Sequence, residues 1–181
     1  ALIMNISRKI YDSVKRTRRG DFRLEGLRGF DLKGKTLGIV GCGKIGQNVA
    51  RIAKGFEMKT IAFDVNKDKK LAKKLDFKYV SLDSLMKNSD IITLHVPENK
   101  HTHHLIDGKK LKLCKKGTIL INTSRGGIVD TTALLKALSS GKIDYAGLDV
   151  LEGECYVREE KQLLRPEFLE NCNLRLVLED N

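Results

Sequence analysis

The chain has 181 residues, of which 41% are apolar, and a formal net charge of +11, values that predict one main domain with a single core. No stretch approaches the roughly 18 consecutive apolar residues that a membrane span requires, and the first residues lack a signal-peptide layout, so we expect a soluble, cytoplasmic protein without a membrane partner. The four cysteines form no C-x-x-C pair, which argues against a zinc site and a disulfide framework.

The amino-terminal segment is predicted to form one amphipathic helix that ends near Gly20. Residues 1–35 also contain ten Lys or Arg and only four Asp or Glu. The tract VKRTRRGDFR could contact nucleic-acid phosphates, but it interleaves only Phe22 as a stacking platform, so we favour a solvated or inter-subunit face. The apolar positions of the helix recur at three- and four-residue steps: Leu2, Ile3, Ile6, Ile10 and Val14.

Strand-like and helix-like segments alternate after a glycine-rich linker. Connections this short require right-handed crossovers between parallel strands covered on both faces. The predicted fold class is therefore α/β, a doubly wound parallel sheet. Residues 152–181 break the alternation and are predicted to be an irregular acidic tail, with a short helix considered at REEKQLL. The predicted strands cover residues 36–40, 59–64, 78–80, 90–96, 117–124 and 145–150.

The loop after the first strand contains Gly41, Gly43 and Gly46 in a G-x-G-x-x-G spacing. These glycines allow a tight turn, close approach of the backbone to a pyrophosphate, and close packing of the next helix. The second strand ends in Asp64, 18 residues beyond Gly46, where a carboxylate would bond adenosine ribose hydroxyls and repel the 2′-phosphate of NADP. The combination predicts NAD as cofactor. As alternatives, Asp64 could cap the next helix, and Lys67 could weaken the discrimination between NAD and NADP.

The loop after the fourth strand contains Pro97, which cannot donate to a sheet ladder and therefore ends the strand. Three histidines follow in this loop, namely His101, His103 and His104. Because no carboxylate completes a metal shell beside them, we expect surface histidines and no bound metal.

The last two loops carry charged residues directly after buried strands. Arg125 precedes two glycines, and its planar guanidinium suits bidentate capture of a substrate carboxylate; an ion pair with an acid across the cleft is the alternative. Asp149 ends the last strand, and Glu152 and Glu154 follow it. A carboxylate here could orient a histidine for acid–base catalysis, or either glutamate could simply begin the acidic tail.

The four loops together resemble those of the NAD-dependent D-isomer-specific 2-hydroxyacid dehydrogenases, from about residue 32 to residue 154. The matching segments are GKTLGIVGCGKIGQNVARIAKGFEMKTIAFD, LHVPENKHTHHLI, ILINTSRGGIVD and AGLDVLEGE. The resemblance implies an inter-domain helix and linker at residues 1–31 and a Rossmann-type NAD-binding domain at residues 32–154. Residues 155–181 would then form a truncated tail that leads back toward an absent substrate domain.

The resemblance also implies roles for matching residues. Arg125 corresponds to the substrate-binding arginine, and Glu154 corresponds to the catalytic glutamate. The family transfers a hydride between C4 of the nicotinamide and C2 of a 2-oxo or 2-hydroxy acid, while a histidine paired with the glutamate moves the proton. The implied cofactor groove consists of Gly41, Gly43, Lys44, Ile45, Gly46, Asp64, Val96, Pro97, Thr102, Thr123, Ser124, Arg125 and Asp149.

The sequence departs from the family pattern in its histidines. All four precede residue 105, whereas the catalytic histidine of the family follows the glutamate. We therefore expect a cofactor domain that binds NAD(H) without turning over substrate. The long tail resembles lactate-type members, which favours D-lactate and pyruvate, with other small 2-hydroxy acids left open. The resemblance also implies a homodimer, and an NAD-gated module similar to transcriptional corepressors of this fold is the alternative function.

Overall fold

The fold is built on one six-stranded sheet, seen in a computed structural model that describes residues 1–153. The strands are β1 (Thr36–Val40), β2 (Lys59–Phe63), β3 (Lys78–Tyr79), β4 (Ile91–Leu94), β5 (Thr118–Asn122) and β6 (Ile143–Leu148). All neighbouring strands pair in parallel, in the order β3-β2-β1-β4-β5-β6. This arrangement confirms the predicted parallel sheet.

Helices cover both faces of the sheet. They are α1 (Leu2–Arg8), α2 (Ile10–Thr17), α3 (Lys44–Gly55), α4 (Lys69–Leu75), α5 (Leu82–Asn88), α6 (Gly108–Leu113) and α7 (Thr131–Ser139). One apolar cluster joins the sheet to α5, α6 and α7, and a second joins it to α1, α3 and α4. The fold is thus doubly wound, as predicted. Within residues 1–153, every helix is too short or too polar to cross a membrane.

The central strands end side by side at the carboxyl edge of the sheet. Val40 pairs with Leu94, Leu94 with Asn122, and Asn122 with Leu148. Every residue of β4 and β5 is buried, because helices cover both faces, and this is why these strands are nearly continuous apolar runs. The loops predicted to carry the chemistry therefore leave the sheet next to one another.

The predicted amino-terminal helix is broken in the structure. Lys9 separates α1 from α2 with a left-handed φ of 54°. Its ammonium lies 4.0 Å from the centre of the Tyr145 ring on β6. The prediction of one continuous helix was wrong because the apolar period persists across the break, whereas a left-handed lysine leaves no sequence signal. As a result, Ile10 and Val14 are each 46% exposed instead of packing on the sheet.

Candidate functional site

The glycine-rich turn between β1 and α3 has the backbone geometry that its motif predicts. Gly41 has a φ of 96°, which residues with a Cβ rarely adopt. A Cβ built on Gly41 would lie 2.6 Å from the carbonyl oxygen of His95, and one on Gly46 would lie 2.1 Å from the carbonyl oxygen of Gly41. The turn can approach the end of β4, and α3 can pack on the turn, only because these side chains are absent.

The amino terminus of α3 is open to solvent. Its N-cap, Gly43, makes no side-chain hydrogen bond, and a Cβ built there would meet no atom within 4 Å. Gly43, Lys44 and Ile45 are all exposed. The first N–H groups of a helix lack intrahelical acceptors and attract anions. This end of α3 therefore fits the pyrophosphate of a dinucleotide.

Asp64 is held at the end of β2 against the glycine-rich turn. Its Oδ2 accepts a hydrogen bond from the N–H of Cys42 at 2.6 Å, and its Oδ1 accepts one from the N–H of Asn66 at 2.8 Å. The next helix, α4, is capped by Asp68 instead, so capping does not account for Asp64. A fixed carboxylate beside the glycine-rich turn is suited to the ribose hydroxyls of a dinucleotide.

The two cysteines within residues 1–153 are buried and free. Burial raises the pKa of both Cys42 and Cys114 to about 11, and the nearby carboxylate of Asp64 adds to the effect on Cys42. Both thiols are therefore neutral at pH 7 and poorly reactive. Cys155 and Cys172 lie outside the described residues.

The turn after β5 presents Arg125 on a clamped backbone. The buried side chain of Asn122 donates a hydrogen bond to the carbonyl oxygen of Arg125 at 2.8 Å and accepts one from the N–H of Ser124 at 3.0 Å. The hydroxyl of Ser124 donates to the carbonyl oxygen of Leu94 at 2.6 Å. The side chain of Arg125 is exposed, and the described part of the chain offers it no carboxylate partner, which leaves the guanidinium available to an anion.

Replacing Asn122 by alanine is expected to destabilise the domain by about 1–3 kcal/mol, because the carbonyl oxygen of Arg125 and the N–H of Ser124, in a partly buried turn, lose their partner. For a chain of this size, the melting temperature falls about 2–4 °C for each kcal/mol, which thermal denaturation measures directly. Asn88→Ala is the matched control, since its exposed amide bonds only within α5. Equal melting temperatures for the two variants would contradict the role of Asn122 in holding the turn of Arg125.

The loop after β4 contributes three of the predicted cofactor residues. A Cβ built on Gly41 would lie 2.8 Å from Cγ1 of Val96, so Val96 borders the glycine-rich turn. The hydroxyl of Thr102 donates to the carbonyl oxygen of Pro97 at 2.6 Å and accepts from the N–H of Asn99 at 2.8 Å. Val96 is therefore adjacent to the turn, whereas the described contacts of Thr102 shape its own loop.

Thr123 and Asp149 lie at the polar end of an apolar cavity of about 400 Å³. The N–H of Asp149 donates to the carbonyl oxygen of Asn122 at 2.9 Å, which places the loop after β6 beside the Arg125 turn. Neither the glycine-rich turn nor Arg125 lines this cavity. Most of its apolar lining comes from α1, from α3 and from the residue that follows α3, including Leu2, Ile3, Val49, Ile52 and Phe56. The predicted cofactor residues thus follow the sheet edge and meet the cavity only at Thr123 and Asp149.

Two of the loop histidines are paired with carboxylates, which corrects the expectation that none was near them. His103 Nδ1 lies 3.1 Å from Glu98 Oε1, and His104 Nε2 lies 2.5 Å from Glu152 Oε1. Glu152 is 48 residues from His104 in sequence, and the alignment of β4 with β6 in the sheet brings the two together. Sequence reasoning could not distinguish Glu152 from the start of the acidic tail.

One potential metal-binding atom from each of His103, His104 and Glu152 lies within 4.8 Å of the others. All three groups already have hydrogen-bond partners. The two imidazole rings are stacked 4.1 Å apart with an 18° angle between their planes, so their in-plane nitrogen lone pairs lie in two nearly parallel planes, an arrangement poorly suited to binding one ion. Hydrogen bonding to Glu98 and Glu152 accounts for this cluster, and the absence of a metal stays a prediction.

Glu154 and the short helix considered at residues 158–164 lie outside the described residues. The catalytic role of Glu154 therefore stays a prediction that comes from the resemblance. The described chain ends at Gly153, in the loop whose residues Leu151 and Glu152 lie against Gly126.

Comparison with known proteins identifies the domain. Residues 1–172 match a family model described as D-isomer specific 2-hydroxyacid dehydrogenase, NAD binding domain. The chain belongs to this family. The dehydrogenase domain is 46% identical over 167 residues to a glyoxylate reductase of Thermococcus litoralis, covering 88% of this chain and 50% of that protein. It is 43% identical over 154 residues to a D-lactate dehydrogenase of Curvularia clavata, covering 85% and 44%. It thus spans about half the length of these curated relatives.

Solved structures of the family have the same fold. The dehydrogenase domain superposes on a pyruvate reductase of Chlamydomonas reinhardtii with a TM-score of 0.86 and 40% identity, covering 93% of this chain and 50% of that one. It superposes on the D-lactate dehydrogenase of Aquifex aeolicus, complexed with NAD and lactic acid, with a TM-score of 0.84 and 35% identity, covering 97% and 52%. These findings confirm the resemblance, the Rossmann fold and NAD as the cofactor.

Sequence reasoning missed one residue that shapes the site, Asn122, and one contact, between Glu152 and His104. Asn122 could have been found, because a polar residue that ends a buried apolar strand next to a turn has few roles other than bonding that turn. Glu152 was noticed, but its partner His104 could not be deduced, because nothing in the local sequence joins them.

Proposed function

We propose that the protein containing this domain is an NAD-dependent oxidoreductase that interconverts a D-2-hydroxy acid and its 2-oxo acid. The observation that carries the proposal is the exposed guanidinium of Arg125, held on a clamped turn without a carboxylate partner within residues 1–153. A substrate carboxylate would supply that anion through two parallel hydrogen bonds. Membership of the dehydrogenase family supports the same class of reaction.

Each part of the site has a separate task in this proposal. NAD(H), when bound, accepts or supplies the hydride. The open amino terminus of α3 holds the pyrophosphate, and Asp64 holds the adenosine ribose. Arg125 fixes the substrate carboxylate and polarises the neighbouring carbonyl, while Glu154 pairs with a histidine that moves the proton. As the resemblance implies, the cofactor would also contact residues of the loops at the sheet edge, namely Val96, Pro97, Thr102, Thr123, Ser124 and Asp149.

We infer that the substrate is a small 2-oxo acid, with pyruvate and D-lactate as the favoured pair. Three of the similar proteins are named a glyoxylate reductase, a pyruvate reductase and a D-lactate dehydrogenase. Glyoxylate and pyruvate share a carboxylate next to a carbonyl, the pattern that a fork-shaped guanidinium recognises. The long tail after Glu154 also supports the lactate-type assignment.

The proposal is tested at two chain lengths. The 181-residue chain should bind NADH in calorimetry or in a fluorescence titration, where the absence of tryptophan leaves the NADH signal clear. A chain of the full length of the relatives should oxidise NADH with pyruvate, glyoxylate or hydroxypyruvate. Turnover by the 181-residue chain alone would contradict its role as a cofactor domain without independent activity.

The same measurements distinguish the alternative functions. Tight NADH binding at both lengths, with no turnover of any 2-oxo acid, would favour an NAD-gated binding module. Affinity for DNA or RNA that falls steeply with salt and ignores NADH would favour the nucleic-acid hypothesis drawn from the basic amino-terminal segment.

Replacing Asp64 by asparagine is expected to reduce the preference for NADH over NADPH by about tenfold, because the charge that repels a 2′-phosphate is removed. Asparagine can still accept the N–H of Cys42, so the turn is retained. The dissociation constants of both nucleotides are measured for each variant. Asp68→Asn is the matched control, since this carboxylate caps α4. A wild type that binds NADPH more tightly than NADH would contradict the assignment.

We propose that the protein is a cytoplasmic homodimer. Large apolar side chains on α2 and the following linker are 46–83% exposed within residues 1–153, namely Ile10, Tyr11, Val14, Phe22 and Leu24. An apolar surface of this kind supports self-association, which analytical ultracentrifugation measures. The use of NAD, together with the two buried free thiols, supports the cytoplasm.

A further inference from the structure

Glu152 links three loops at the carboxyl edge of the sheet. Its Oε1 lies 2.5 Å from Nε2 of His104, in the loop after β4. Its Oε2 accepts a hydrogen bond at 3.1 Å from the N–H of Thr131, at the start of α7. Thr131 is the first residue of α7, at the end of the loop after β5. This loop contains Arg125 and the 3-10 turn at residues 126–128. One carboxylate therefore connects the loops after β4, β5 and β6.

The three loops are also in direct backbone contact. A Cβ built on Gly126 would lie 2.0 Å from the carbonyl carbon of Leu151 and 2.3 Å from the amide nitrogen of Glu152. The N–H of His104, which has a left-handed φ of 50°, donates to the carbonyl oxygen of Gly127 at 2.8 Å. Because no side-chain layer separates the backbones, a shift of one loop displaces the others.

The carboxylate of Glu152 is ionised, and each of its two oxygens has a hydrogen-bond partner. Its side chain is 21% exposed, and that of His104 is 38% exposed. Burial by itself would raise the pKa of Glu152, but hydrogen bonds from His104 and Thr131 outweigh burial and lower it. Removal of this carboxylate therefore leaves the imidazole and the N–H of Thr131 without their acceptor.

We propose that Glu152, braced by His104, is a positioning residue that fixes the end of the loop after β6 against the turn of Arg125, two residues before the catalytic glutamate of the proposed function. The proposal rests on the proposed dehydrogenase function, in which Arg125 binds the substrate and Glu154 serves the proton transfer. Glu154 is two residues beyond Glu152, so the chain between them spans at most about 7 Å. A shift of Glu152 would therefore be passed on to Glu154, and misplacement of a catalytic group by about 1 Å can cost a hundredfold in rate.

Replacing Glu152 by alanine is expected to lower kcat by about 30–100-fold at the full length of the relatives, because the catalytic segment loses its anchor. The KM for the 2-oxo acid and the Kd for NADH should change by less than about threefold, since Arg125 and α3 are untouched. Glu152→Gln keeps an acceptor for Thr131 and should restore most of kcat. Steady-state kinetics at saturating NADH measures these values.

Glu98→Ala is the matched control. It removes the neighbouring glutamate–histidine pair, Glu98 with His103, which lies close to Glu152 but makes no hydrogen bond to it within residues 1–153. Its kcat should stay within about twofold of the wild-type value. A loss of kcat equal to that of Glu152→Ala would mean that general disturbance of the loop, not the link through Glu152, lowers the rate, and would overturn the proposal.

The deciding measurement is the effect of Glu152→Ala in a Glu154→Gln background. If Glu152 acts through Glu154, the second substitution should lower kcat by less than about threefold further. Losses that multiply would overturn the proposal. So would a Glu152→Ala variant that is less stable but keeps the wild-type kcat, because that result would show a merely structural role.

Hydrogen exchange on the 181-residue chain tests the link without turnover. The N–H of Thr131 should exchange about tenfold faster in Glu152→Ala than in the wild type, and should be unchanged in Glu98→Ala. Equal exchange in all three proteins would overturn the proposal itself. A wild type of full length that binds NADH but reduces no 2-oxo acid would instead contradict the proposed function, and the catalytic part of this inference with it.

Discussion

Replacing Arg125 by alanine at the full length of the relatives is expected to lower kcat/KM for a 2-oxo acid by about a thousandfold. Loss of one partner of a desolvated, hydrogen-bonded charge pair costs about 2–5 kcal/mol, and each 1.4 kcal/mol is about tenfold. Nη1 of the exposed guanidinium donates to the carbonyl oxygen of Ser124 at 2.7 Å, and no carboxylate within residues 1–153 pairs with it, so its other N–H groups can bind the substrate. Both KM and kcat should change, because the arginine also polarises the reacting carbonyl.

Two comparisons make the Arg125 result specific. Arg125→Lys keeps the positive charge without the planar fork, and should recover about tenfold of the loss. The affinity of the 181-residue chain for NADH should change by less than about threefold in Arg125→Ala, because the open end of α3 and Asp64 hold most of the cofactor. Turnover within about tenfold of the wild-type value would exclude Arg125 as the group that binds the substrate carboxylate.

Replacing Gly46 by alanine is expected to destabilise the domain by about 3 kcal/mol and to abolish measurable NADH binding. The new Cβ would lie 2.1 Å from the carbonyl oxygen of Gly41 and 3.2 Å from a side-chain carbon of Ile39. The carbonyl of Gly41 belongs to the backbone and cannot move aside as a flexible side chain can. Helix α3 must therefore shift away from the turn, and its first N–H groups no longer point toward the proposed pyrophosphate position. The melting temperature should fall by about 6–12 °C for a domain of this size.

Gly43→Ala is expected to weaken cofactor binding without affecting the stability of the fold. A Cβ at Gly43 would meet no protein atom within 4 Å, and the φ of this residue is −65°, so alanine fits the backbone. We therefore expect an unchanged melting temperature together with weaker NADH binding, because the new methyl group lies where the pyrophosphate approaches. A Gly46→Ala variant that melts and binds NADH like the wild type would contradict the packing argument.

Local patterns were sufficient to predict most of the fold. Strands covered on both faces must be nearly continuous apolar runs, and β4 and β5 are buried at every residue. The amino-terminal helix was the exception. Its apolar period continues across Lys9, although the backbone there turns left-handed and leaves α2 with an exposed apolar face.

The sequence by itself determined the parallel sheet, the glycine-rich turn and the placement of Asp64 and Arg125 after strand ends. Each of these depends on rules that act over a few residues, such as apolar periodicity, the freedom of glycine and the position of polar residues after a strand. Only the tertiary structure decided which residues secure those groups. Glu152 meets His104 across 48 residues, and Asn122 bonds the turn of Arg125 from inside the core, because parallel pairing aligns strand ends that are far apart in the chain.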